Sequence, residues 1–278
     1  MTTQETKHQG TALVTGASSG IGLELARVLA GNGHPLVIVA RGRERLETVA
    51  AQLGSEFRVP VKAYAKDLAE LGAIEELWAD LSDAGTSVDI LVNNAGIGLY
   101  GEFQDQSVAA LRSMQMINVV ALTTLTRLVL PAMLARKRGR ILNVASVVGY
   151  QPGGPRMAVY YATKSYVLSF SKGLALELEG TGVTVTALSP GVTKSAFEQR
   201  SGASETLLYS LLPQATAKAV ASAGYRGMMR GRRVVIPGLL TKTFAVAGEL
   251  PPRMIALAVN RWLLRRRPVR VRALSNDS

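Results

Sequence analysis

At 278 residues the chain suits one large α/β domain, or at most two small ones. Apolar residues make up 47% and charged residues 19%, which excludes a disordered chain, and the absence of cysteine excludes disulfides and thiolate metal sites. The net charge of +12 is uneven: residues 1–225 hold 20 Lys/Arg against 18 Asp/Glu, whereas residues 226–278 hold 12 against 2.

The first nine residues read as a solvated arm without the apolar core of a signal peptide. A buried strand is predicted at Ala12–Thr15, then a glycine turn over Gly16–Gly22. A helix carries Ile21, Leu25, Val28 and Leu29 on one stripe and stops at Asn32-Gly33. Leu36–Ala40 is a continuous apolar run, as in a strand covered on both faces. A charged helix over 43–53 and a weaker strand over 61–65 follow. A helix over 68–84 has Leu68, Leu71, Ile74, Leu77, Trp78 and Leu81 as its buried stripe. Strands are predicted at 89–93, 140–144, 183–188 and 233–236, and helices at 107–138, 159–179 and 214–230, with Pro131 bending the long one or marking a break near its end. Strands alternating with helices imply a doubly wound, Rossmann-like parallel sheet of about seven strands in a single domain. The catalytic body spans 10–237, with an apolar lid at about 192–213 and a basic C-terminal extension over 238–278. No run of about 18 uncharged apolar residues is found, so no spanning helix is expected. The composition fits a cytoplasmic protein.

The turn Thr15-Gly16-Ala17-Ser18-Ser19-Gly20-Ile21-Gly22 sits between a strand and a helix start. Backbone N–H groups at such a helix start bind phosphate, and the glycines let a dinucleotide pyrophosphate come close. The same letters spell G-x-S-x-G, but a hydrolase needs a histidine downstream, and none follows His34. Where an acidic residue would read the ribose 2′-hydroxyl of NAD, the second strand ends in Arg41, with Arg43 and Arg45 beyond. An arginine suits a 2′-phosphate, so NADP(H) is favoured over NAD(H). A solvated helix start is the alternative reading of these arginines.

Tyr160 and Lys164, four apart on a predicted helix, share a face. A nearby ammonium can tune a phenol into an acid/base for an alcohol or carbonyl oxygen. Ser146 follows a strand end, where such sheets bind ligands. Taken singly, each has a structural alternative: a core tyrosine, a surface lysine, a helix cap.

Together these segments resemble the short-chain dehydrogenase/reductase family over about residues 10–195. They are TGASSGIG (15–22), Asp67-Leu68, NNAG (Asn93–Gly96), Asn118, Ser146 with Tyr160 and Lys164, and Pro190-Gly191-Val192-Thr193. The resemblance implies that Tyr160 is the general acid/base and that Lys164 lowers its pKa and binds the nicotinamide ribose. It implies that Ser146 orients the substrate oxygen and Asn118 holds a relay water. Gly16, Ser18, Ser19, Gly20, Ile21 and Gly22 would form the pyrophosphate turn. Asp67 and Leu68 would face the adenine, Asn94, Ala95 and Gly96 the ribose region, and Pro190 to Thr193 the nicotinamide. A homodimer or homotetramer is implied, through the helices containing Asn118 and Tyr160. Two departures stand out: Ser19 replaces the basic residue of some NADP-dependent members, and the Ser146–Tyr160 gap is 14, one longer than usual.

The expected activity is interconversion of a lipophilic carbonyl and its alcohol. Leu99, Tyr100, Phe103 and Met157 are candidate apolar wall, and core or oligomer packing is the alternative for these and the lid leucines. A non-catalytic NADP(H)-sensing protein on the same fold is the competing reading. No nucleic-acid module is visible. The segment 251–272, apolar and then arginine-rich, fits a helix packed on its own domain, a peripheral membrane contact or a flap onto a lipid-like substrate.

Overall fold

In the computed structural model the described residues are 10–265, apart from 195–196, 198–200, 204–205 and 251. The expected arm, parts of the expected lid and residues 266–272 of the extension lie outside them. Each apolar run becomes a strand: β1 Thr11–Thr15, β2 Leu36–Ala40, β3 Val61–Ala65, β4 Val88–Asn93, β5 Gly139–Val144, β6 Val183–Leu188 and β9 Val234–Val235. They form one sheet, all parallel, in the order β3-β2-β1-β4-β5-β6-β9. A small pair, β7 Thr193–Lys194 and β8 Ala215–Thr216, stands apart.

Register places Leu13 between Val37 and Leu91, and Leu91 beside Ile141. Because strand side chains alternate, Ala12, Val14 and Ile38 pack with α1 (Gly20–Gly31) and α2 (Arg43–Phe57) on one face. Leu13, Val37 and Leu91 pack on the other with α3 (Ala73–Asp83), α5 (Leu122–Ala135) and the end of α6 (Ala158–Glu177). Full burial of a leucine such as Leu91 stabilises the fold by about 2 kcal/mol.

Three expectations are corrected. The third helix starts at Ala73, not at 68: the Asp67 carboxylate accepts the Ala69 N–H at 3.0 Å, and Gly72 precedes the helix at φ 82°. Leu71 consequently lies off the helix and 90% exposed. The helix over 108–135 is irregular at a π-turn, Met116–Ala121, between α4 (Val108–Gln115) and α5, whereas Pro131 lies within α5. By length and composition this helix could cross a membrane, but Met114, Ile117, Leu125, Val129 and Met133 are buried in the core.

The later helices are α7 (Leu207–Leu211), α8 (Ala217–Met229), α9 (Leu239–Glu249) and α10 (Arg253–Leu263). A third apolar cluster joins Tyr160, Tyr161, Leu208, Ala245, Leu263 and Leu264, so the last described helices pack beside the strand ends that carry the site.

Candidate active site

The parallel strands all point their C-terminal ends at one cleft. Gly16 takes φ 67° and Gly20 φ 59°, left-handed conformations that favour glycine. A Cβ on Gly16 would stand 2.8 Å from Asn94 Nδ2, and one on Gly22 would run into Asn94 and the Gly16 carbonyl. Two residues hold this turn. Thr15 Oγ1 accepts the N–H groups of Asn94 and Ala95, both at 3.0 Å, and Asn94 Nδ2 donates to the carbonyls of Thr15 (2.9 Å) and Gly16 (3.2 Å). Thr15 is a residue the sequence reading left without a role. No side-chain hydrogen bond caps the start of α1, so its first N–H groups suit an anion.

From this turn a cavity of about 560 Å³ runs past Arg41, Asp67 and Leu68 to Ser146, Tyr160 and Lys164. Ser18, Ser19, Ile21, Ala95, Gly96, Pro190, Gly191, Val192 and Thr193 also line it. Gly22 and Asn118 do not belong to its lining. Gly22 acts by close packing behind the turn. Arg41 lies 3.7 Å from the Asp67 carboxylate, and Arg45 donates to the Ser18 carbonyl at 2.9 Å. Arg41 and Arg45 thus border the cavity, whereas Arg43 is exposed and pairs with Glu47 at the helix start.

At the other end, Ser146 Oγ accepts the Val148 N–H at 3.3 Å and lines the cavity beside the Tyr160 phenol. Tyr160 is in the first turn of α6, and Lys164 lies one turn on, its Nζ 5.9 Å from the phenol ring centre. Lys164 donates to the Val144 carbonyl at 2.8 Å. Burial pushes the phenol up from its ordinary pKa, Tyr209 and Tyr161 add to the rise, and the Ser146 hydroxyl pulls it down. Burial pushes Lys164 down to about 8. In this structure desolvation therefore outweighs the expected help of the ammonium.

Asn118 sits in the π-turn with both amide hydrogens committed, to the Ile97 carbonyl (2.9 Å) and Thr163 Oγ1 (3.0 Å). Its Oδ1 accepts the Ile97 N–H at 2.9 Å. The side chain anchors the loop after β4 against α6, a positioning role, and leaves only the second lone pair of Oδ1 for a water.

Met157, Phe197, Leu208, Tyr209 and Leu212 complete the wall beside Tyr160, and the Phe197 ring is 5.5 Å from that of Tyr160. Leu99 and Tyr100 line a neighbouring cleft instead, and Phe103 is exposed. Sequence reading also missed the buried ladder of Asn93, Asn143 and Ser171, which ties β4 and β5 to α6. Single polar residues in strands carry no periodic signal.

A cleft at the strand ends with a glycine turn at one end and a tyrosine, a serine and a lysine at the other is an arrangement suited to a nicotinamide-dependent oxidoreductase. The chain belongs to the short-chain dehydrogenase family: the profile described as short chain dehydrogenase matches residues 10–206. It is 32% identical over 263 residues to the ketoacyl reductase HetN of Nostoc sp., covering 91% of this chain and 88% of that one. To the NADP-dependent 3-hydroxy acid dehydrogenase YdfG of Salmonella typhi it is 40% identical over 183 residues, covering 65% and 71%. Among solved structures, a short-chain dehydrogenase from Sphingobium yanoikuyae in complex with NADPH matches with a TM-score of 0.77 and 35% identity, over 86% of this chain and 93% of that one. The bulky-bulky ketone specific alcohol dehydrogenase from Comamonas testosteroni matches with a TM-score of 0.73 and 34% identity, over 84% and 87%. The protein is an oxidoreductase of this family, acting on alcohol or ketone substrates with a nicotinamide cofactor.

Proposed function

We propose that the protein is an NADP(H)-dependent reductase of a lipophilic carbonyl, with Tyr160 as the proton donor. The observation that carries this reading is a single cavity with Arg41 at one end and the Ser146–Tyr160–Lys164 group at the other. A bound nicotinamide supplies hydride transfer, and the chain supplies position and a proton. The glycine turn and the α1 start hold the pyrophosphate, and Arg41 meets the 2′-phosphate. Ser146 holds the substrate oxygen against the Tyr160 hydroxyl, which burial keeps protonated and ready to donate. Lys164 keeps an ammonium near the phenolate left behind. The wall of Met157, Phe197, Leu208 and Leu212 suits an apolar substrate body.

Residues 10–237 form the catalytic body in this reading, with 238–278 appended, and the cysteine-free chain is placed in the cytoplasm as a homodimer or homotetramer. The cofactor choice is tested by fluorescence titration. Arg41→Ala should weaken NADPH binding about tenfold, as for one lost charge-assisted contact, and leave NADH unchanged. Equal loss for both cofactors would count against the 2′-phosphate role.

A further inference from the structure

A helix at the edge of a globular protein normally turns its apolar stripe to the core. The last two described helices do so only in part. α10 is fastened by Asn260, which donates to the Gly153 carbonyl at 2.8 Å, and by buried Leu263 and Leu264; Tyr100 donates to the Leu264 carbonyl at 2.6 Å. Its other side presents Ile255, Val259 and Trp262 to solvent at helical spacing, 62%, 44% and 48% exposed. On α9, Leu239 and Val246, seven apart, are exposed as well, and so is Leu250 just after the helix.

Charge identifies what covers this face. Arg261 and Arg265 are exposed toward the C-terminal end of α10, where they also border the cleft of Glu102 and Asp105, and the described residues 238–265 carry four Lys/Arg against one acid. Two copies meeting through this face would bring two such segments together, and like charge opposes that. An anionic surface with an apolar interior satisfies both features, with Trp262 suited to the headgroup boundary. At 11 residues α10 is too short to span a bilayer. We propose that the outward face of α9 and α10 docks on an anionic lipid bilayer. The proposal is independent of which carbonyl the enzyme reduces.

The test is flotation of the full chain with phosphatidylcholine vesicles, with and without phosphatidylglycerol, at low and high salt. Binding should require phosphatidylglycerol and fall away at high salt. The pair Ile255→Glu/Val259→Glu should lower the bound fraction by about tenfold or more. Its thermal melt and its turnover of a water-soluble carbonyl should stay unchanged, since both side chains lie outside the cavity. Arg261→Gln/Arg265→Gln provides a second variant, expected to weaken the salt dependence. No flotation at low salt with phosphatidylglycerol would overturn the proposal, as would flotation unaffected by both variants. An oligomer dissolved by the glutamate pair, without flotation, would assign the face to a second copy instead.

Discussion

Lys164 shows how much a single buried side chain trades between stability and chemistry. Its pKa falls from 10.5 when unfolded to about 8 in the fold, so the charged form is disfavoured by roughly 3 kcal/mol. That cost is fully present below about pH 8, shrinks as pH rises, and is gone above the unfolded value. Lys164→Met removes it but leaves the Val144 carbonyl without its donor, which returns about 1–2 kcal/mol. The variant should therefore be more stable at neutral pH by about 1–2 kcal/mol in urea titration, lose that advantage toward pH 10, and be catalytically crippled. Destabilisation at neutral pH would show that the charge is better compensated than its surroundings imply. The same value sets a pH profile. Carbonyl reduction should hold steady near neutrality, where the phenol is protonated, and decline above about pH 8 as the ammonium is lost. A rate that climbs through that range would contradict the roles given to both residues.

At the scale of elements, the join between β1 and β4 carries the cofactor turn. Thr15 Oγ1 takes two backbone N–H groups and itself donates to the Val92 carbonyl at 3.3 Å. Thr15→Val keeps the shape but leaves the Ala95 N–H without a partner, while the Asn94 N–H keeps the Val92 carbonyl at 3.1 Å, at a cost of about 2 kcal/mol. It should also weaken cofactor binding, because Asn94 and the glycine turn lose their common anchor. A stability loss under about 1 kcal/mol by chemical denaturation would mean that the turn holds itself. Element type was readable from period: Leu36–Ala40 as a buried strand and the start of α6 carrying Tyr160 and Lys164 both follow from residue pattern. The start of α3 was not, because the apolar stripe begins at Leu68 while the Asp67 side chain and Gly72 keep the backbone out of the helix until Ala73. The π-turn at 116–121 was equally hidden, since a π-turn shifts side chains by a fraction of a turn without changing composition.

Over the whole molecule, chain order and strand alternation were enough to bring Gly16, Ser146, Tyr160 and Lys164 to one sheet edge. What chain order cannot carry is which polar atoms are already taken. Asn118 and Asn94 look like ligand-facing amides in sequence, yet both spend their hydrogens on backbone or Thr163. Nor does an apolar stripe say which way it faces: the residues of α10 predict an amphipathic helix, and only packing reveals that Ile255 and Trp262 point outward. The same packing ties α10 to the segments holding Gly153 and Tyr100 through Asn260 and the Leu264 carbonyl.

The measurement that bears most directly on the catalytic assignment is NADPH oxidation with a panel of apolar ketones and aldehydes, run on the wild-type protein and Tyr160→Phe together. The variant keeps the ring packed on Phe197 and loses only the hydroxyl beside Ser146. Turnover should fall by about 10²–10⁴-fold with NADPH affinity nearly unchanged. Wild-type turnover that survives intact in Tyr160→Phe would contradict the assignment of the proton to this residue.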